Sequence, residues 1–193
     1  MLAASLVGEN GRVIAFEPGV KARKRLLENL EINNLKNVTV HDCAVSEFVG
    51  HIDFFLDYDT TNRIKTGGDL GRSVSVPQIR LDDVINFSCV MGKMDIEGAE
   101  PLALRGAAKL LATSNPPVWL LELNGALKTF QYSEESLKAW LFKVGYDLCL
   151  YDADHLELDF THLEPWLKSP NVFAVARSHR QWVSNRCGAS LII

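Results

Sequence analysis

The order of apolar runs and helical stripes along this chain predicts an α/β protein with a mostly parallel sheet, and three observations carry that expectation. The first is the turn Lys93-Met94-Asp95-Ile96-Glu97-Gly98-Ala99-Glu100, which sets three carboxylates between a short apolar run (Cys89, Val90, Met91) and Pro101. Proline suits the first turn of a helix, and Leu102, Ala103, Ala107, Leu110 and Leu111 then recur at roughly helical spacing. Strand, acidic turn and helix make the crossover at which open α/β sheets bind ligands, outside the carboxyl ends of the strands. The second observation is a compact apolar strand over 12–18 followed at once by an amphipathic helix over 20–33. The third is the almost unbroken apolar run 118–123, the composition of a strand covered on both faces. Strands alternating with helices in this way predict a parallel sheet with helices on both sides. The last two strands are joined without a convincing helix, so the C-terminal edge is expected to turn antiparallel.

Taken in order, residues 2–7 read as a helix end closed by Gly8. In the helix over 20–33, Ala22, Leu26, Leu27 and Leu30 are expected inward, and Lys21, Arg23, Lys24, Arg25 and Glu28 mostly outward. Residues 38–41 form a second strand running into Asp42-Cys43-Ala44. Residues 50–56 alternate and predict an exposed or edge strand, while 57–72 is polar, rich in Thr and Gly, and predicts a long loop. Residues 73–81 are a further strand, and Asp82-Asp83 opens a short helix through Phe87. After the central turn, Ser114-Asn115-Pro116-Pro117 stops the chain before the 118–123 strand. Ser133 caps a helix with the stripe Leu137, Trp140, Leu141 and Val144, closed by Gly145. Residues 146–151 and 171–176 are the last strands, and 177–193 is expected to be a flexible, locally basic tail.

A chain of 193 residues suits a single domain over 1–193. No apolar run approaches the length of a membrane span. A net charge of −4 argues against a general nucleic-acid binder. Cys43, Cys89, Cys149 and Cys187 are far apart and form no C-x-x-C pair, which argues against a zinc site and against a dense disulfide framework. Three of them sit in apolar, strand-like surroundings, as reduced thiols of a cytoplasmic protein would. No metal site is expected.

Acids stand at the ends of successive strands: Glu17, Asp42, Asp95, and Glu122 in Glu122-x-Asn124. In a nucleotide-binding half, an acid at such a corner accepts both ribose hydroxyls. Glu17 could equally interact with the dipole of the helix that begins near Pro18, and the two roles are compatible. No G-x-G-x-x-G opens a helix, which weakens a nicotinamide-dependent alternative.

Gly11-Arg12-Val13-Ile14-Ala15-Phe16-Glu17-Pro18, the stretch 29–38, Ala44-Val45-Ser46 and above all Asp95-Ile96-Glu97-Gly98-Ala99-Glu100 with Leu104-Arg105-Gly106-Ala107 resemble the FkbM-type methyltransferase family. The resemblance runs in order over about 1–125 and continues more loosely to the last strand. It implies a Rossmann-like class I methyltransferase sheet and S-adenosylmethionine as cofactor. It implies that Glu17 and Pro18 lie at the ribose, that Asp42, Cys43 and Ala44 lie at the adenine, and that Asp95 faces the reacting centre with Glu97 beside it. The implied reaction is O-methylation of a hydroxyl on a sugar, lipid or natural product, with Asp95, Glu97 or His41 removing the proton. The structural alternatives are that Asp95 orients the turn and that Glu97 and Glu100 cap the following helix.

The family's first strand and its acidic, glycine-rich loop have no counterpart in this chain. An N-terminally incomplete methyltransferase domain is therefore expected, with an open strand edge through which copies could pair into a homo-oligomer. The alternative function is a catalytically inactive fragment or interaction domain of the same fold.

Overall fold

The computed structural model describes residues 1–55, 63–67 and 72–193, which fall into two compact units, 1–80 and 81–193. Each is built from β and α elements, and each is described in turn.

In the first unit, helix α1 (Leu2–Leu6) ends before Gly8, whose φ of +71° only glycine adopts at low cost. Strand β1 (Val13–Phe16), helix α2 (Val20–Ile32) and strand β2 (Val38–His41) then form a β-α-β crossover. β1 and β2 pair in parallel, with Phe16 opposite His41. The expected inward face of α2 holds at Leu30, which is buried, and in part at Ala22 and Leu26, but Leu27 is half exposed. Strands β3 (Ala44–Val45), β4 (Gly50–Phe55), β5 (Arg63–Ile64) and β6 (Ser73–Ile79) form a second sheet in the order β3-β6-β4-β5.

Two sequence expectations are corrected in this sheet. β4 is not an edge: it pairs with both β5 and β6, and Phe54 and Phe55 are buried together where alternation put them on opposite faces. Part of the expected 57–72 loop is strand, because Arg63 and Ile64 pair with Phe55 and Phe54. The rest of that loop lies largely outside the described residues.

The second unit opens with the short helix α3 (Leu81–Val84). Strand β7 (Gly92–Met94) leads through the acidic turn into helix α4 (Glu100–Arg105), and after Gly106 into helix α5 (Ala108–Ala112). Strand β8 (Val118–Glu122) follows, with Val118, Trp119 and Leu121 buried as its apolar run predicts. A 3-10 turn (Ala126–Phe130) precedes helix α6 (Glu134–Lys143), whose N-terminus is fastened by a bond from the Ser136 N–H to Ser133 Oγ at 3.2 Å. Leu137 and Leu141 are buried on its inner stripe. Strands β9 (Tyr146–Asp152), β10 (Glu157–Asp159) and β11 (Asn171–Ala176), helix α7 (Arg180–Cys187) and strand β12 (Ser190–Ile192) complete the unit.

Its sheet runs β12-β10-β9-β11-β8-β7. β7 and β8 are parallel, and β11 lies antiparallel to both β8 and β9, so the antiparallel turn expected of the C-terminal strands is present. The expected mostly parallel sheet is corrected here: this sheet is mixed, with β10 antiparallel to β9 and parallel to β12, because β9, β10 and β11 follow one another without the helical crossovers that parallel pairing needs. Residues 177–193 are not a tail: Val183 of α7 and Ala189 join Val118, Cys149, Leu158 and Val175 in one buried cluster. No described helix is long and apolar enough to cross a membrane.

Candidate functional site

The acids picked out by the sequence gather at two strand ends, one in each unit. In the first, β1 and β2 run parallel and finish together. Glu17 N–H still bonds the His41 carbonyl at 3.0 Å, so Glu17 and Asp42 leave the same end of the pair. The Glu17 side chain turns onto the start of α2, where Oε1 accepts the Gly19 N–H at 2.7 Å. Arg23, one turn into that helix, donates through Nη1 to the Glu17 and Pro18 carbonyls at 2.9 and 3.1 Å and so fixes the corner.

Burial raises the Glu17 carboxyl above its ordinary value, while the Gly19 amide and the Arg23 charge pull it back. A half-buried carboxylate with one oxygen anchored can present the other to a ligand hydroxyl. At the neighbouring strand end the His41 ring stacks on Phe16, with centroids 5.1 Å apart. Asp42 is exposed, and the small side chains of Cys43 and Ala44 are buried behind it. Burial, with the Asp42 charge, raises the Cys43 thiol. The four residues expected to hold a nucleoside (Glu17, Asp42, Cys43 and Ala44), together with Pro18, thus belong to one strand-end cluster.

The second cluster follows from the register of β7 and β8. Met94 lies opposite Leu121, which brings Asp95 and Glu122 side by side as each strand ends. Lys93 Nζ donates to Asp95 Oδ2 at 2.6 Å. A hydrogen bond shared with Glu122 and the Lys93 contact hold Asp95 below the usual carboxylate range. Glu122 is pushed up to about 7, first by the bond to Asp95, then by burial and by the charges of Asp95 and Glu97. Two adjacent carboxylates that cannot both ionise cheaply share one proton. Glu97 has a φ of +55° and Gly98 one of +97°, so the chain reverses tightly between Asp95 and α4.

Glu100 does not cap α4 with its side chain, as the helix-cap alternative required. It is fully buried, and its Oε1 accepts the Ile96 N–H at 3.1 Å. Spacing alone flagged Glu122 only as a further acid at a strand end, since its partnership with Asp95 depends on a one-residue register between non-consecutive segments. Among the described residues no group of three His, Cys, Asp or Glu is placed to hold a metal ion.

With this geometry in view, comparison with known proteins matches the FkbM methyltransferase domain to residues 1–148. The chain belongs to the FkbM methyltransferase family. The acidic turn and both clusters, Glu122 included, fall inside the matched FkbM region. Among solved structures, the chain is similar to the methyltransferase FkbM from Methylobacillus flagellatus KT, with a TM-score of 0.54 and 17% identity. That alignment takes in 90% of this chain but only 40% of the other, so the likeness is one of fold over a part of that FkbM protein. Comparison with curated proteins finds no match.

Proposed function

We propose that this FkbM-family chain is an S-adenosylmethionine-dependent O-methyltransferase domain with a Rossmann-like class I arrangement, acting on a hydroxyl of a sugar, lipid or natural product. The observation that carries the reading is the parallel β1–β2 end, where a half-buried anchored carboxylate, Glu17, stands beside Asp42 with small buried side chains behind it. That donor set fits a nucleoside. Glu17 Oε2 would accept from the ribose hydroxyls beside Pro18, and the Asp42 carboxylate from an exocyclic amine. The small side chains of Cys43 and Ala44 would leave room for the ring. When bound, S-adenosylmethionine supplies a methyl group already activated by its sulfonium charge.

The work left to the protein is alignment and removal of one proton. Asp95, kept ionised by its hydrogen bond with Glu122 and by Lys93, and Glu122, poised near neutrality, form the proton-accepting pair, with Glu97 adjoining them. A base whose affinity for a proton lies near working pH accepts it and returns it to water with least loss. His41 is the weaker candidate, because its ring is engaged in stacking on Phe16. The four free cysteines suit a reducing cytoplasm. Pairing of copies through an open strand edge is part of the same proposal, and light scattering on the purified chain tests it.

Calorimetric titration of S-adenosylmethionine into the chain, alongside Glu17→Ala, tests the function. Saturable binding that Glu17→Ala weakens at least about tenfold, the loss of one or two charge-assisted hydrogen bonds, is the expected result. Heat-silent titration of both proteins would overturn the proposal and favour the interaction-domain alternative.

A further inference from the structure

Glu100 opens α4 but has no exposed surface, and its neighbours Ala99, Pro101, Ala103 and Leu104 are buried with it. One carboxyl oxygen, Oε1, reaches back four residues to the Ile96 N–H, while Oε2 is buried with no hydrogen-bond partner. A charged carboxylate with a dry, unpartnered oxygen is costly; a carboxylic acid in the same place is far less so.

The left-handed residues Glu97 and Gly98 make this return possible. Gly98 in turn lies against the backbone beyond β8, where an added Cβ would stand 2.3 Å from the Ala126 carbonyl oxygen. The turn carrying Asp95 is therefore held at two points, by the Gly98 contact with Ala126 and by the Glu100 bond to Ile96.

We infer that Glu100 is a positioning residue, a buried acid whose grip on the Ile96 amide holds Asp95 beside Glu122. This rests on the reading that the Asp95–Glu122 pair takes the substrate proton. The charged groups around the turn are Asp95, Glu97, Glu122 and Lys93. Burial pushes Glu100 up to about 7 against the pull of the Ile96 and Gly98 amides and its own, and the Asp95 charge adds to the rise. Loss of the Glu100 proton places a second negative charge beneath Asp95 and so couples the turn to pH.

The test is an NMR titration of isotope-labelled wild type, Glu100→Gln and Glu100→Leu. It follows the Ile96 amide and the Asp95 and Glu122 carboxyls, with S-adenosylmethionine calorimetry in parallel. In the wild type the Ile96 amide shift titrates with a midpoint near the Glu100 value of about 7. In Glu100→Gln the part of that titration due to Glu100 disappears, any remaining Ile96 shift follows the Glu122 carboxyl, and the Asp95 and Glu122 midpoints stay paired as in the wild type.

In Glu100→Leu, which fills the buried space without an acceptor, Ile96 exchanges its amide proton at least about tenfold faster. The Asp95 and Glu122 midpoints then move. A leucine variant that matches wild type, or a glutamine variant disturbed as much as the leucine one, overturns the assignment. Should the leucine variant fail to fold, an Ile96 titration of undiminished amplitude in Glu100→Gln overturns it, and its reduction to the part that follows the Glu122 carboxyl upholds it. Absence of S-adenosylmethionine binding would sink the methyl-transfer reading, and the Ile96 amide would still decide the role of Glu100.

Discussion

Glu100 makes a stability prediction whose sign and size follow from its surroundings. In the native protein its carboxyl is pushed up to about 7, against an ordinary value of 4.5. Between those two values the native state keeps a proton that the unfolded chain releases. Stability conferred by that proton is complete below the unfolded value, declines as pH rises, and is gone above the native one. A difference of about 2.5 units at 1.36 kcal/mol each makes the decline roughly 3 kcal/mol.

Glu100→Gln removes the ionisation and retains a carbonyl acceptor for Ile96. The assay is urea unfolding followed by tryptophan fluorescence at a series of pH values. All four tryptophans (Trp119, Trp140, Trp166 and Trp182) lie in the second unit, so the signal reports the unit that holds Glu100. Taking the difference between wild type and Glu100→Gln at each pH cancels the contributions of Asp95, Glu122 and the other carboxylates. The difference should tilt against the wild type by roughly 3 kcal/mol across the window, a midpoint change on the order of 1–2 M urea for a unit of this size. A flat difference would refute the reasoning: it would mean that Glu100 ionises like an exposed carboxylate and that its grip on Ile96 is not the buried one described.

Three further outcomes follow. Asp95→Asn removes the negative charge beside Glu122 and supplies an amide N–H that can donate to the ionised form, so carbon-13 NMR should find the Glu122 midpoint well below about 7, short of 4.5 because burial remains. Gly98→Ala forces a left-handed φ on alanine and drives its Cβ into the Ala126 carbonyl; the second unit should lose about 1–3 kcal/mol in the same urea assay. Tyr146→Phe deletes the buried bond from the Tyr146 hydroxyl to the Pro116 carbonyl at 2.7 Å, and thermal unfolding should show a loss of about 1–3 kcal/mol.

How much of this was legible in the sequence divides along a physical line. Elements defined by local pattern were readable. The helix of Leu137 and Leu141 with its Ser133 cap was one, as were the strand of Trp119 and Leu121 and the α2 helix after Glu17. Elements defined by a distant partner were not. β4 looked like an edge because Phe54 and Phe55 only reveal their shared burial once β5 and β6 flank them. Residues 177–193 look like a tail because Arg177, His179, Arg180 and Arg186 make the stretch locally basic. Val183 and Ala189 gain meaning only against Cys149 and Leu158, and Arg180 only against Asp147, to which it bonds at 2.6 Å.

The candidate site obeys the same division, and this explains why Asp95 was found while its partner was underrated. Asp95 advertises itself through a dense local motif. Glu122 is one acid at the end of an apolar strand, and its chemistry comes from the parallel register that sets Met94 against Leu121. A one-residue slip of β8 would turn Glu122 to the other face of the sheet, and no change in composition would record it. Glu100 shows the converse, because its place at a helix start suggests a helix cap. The left-handed pair Glu97 and Gly98 instead folds it back under the turn, where burial turns an ordinary acid into a near-neutral one. Asp95 and Glu100, in the same acidic turn, thus acquire opposite proton affinities: the bond with Glu122 and the Lys93 contact lower the first, and burial raises the second.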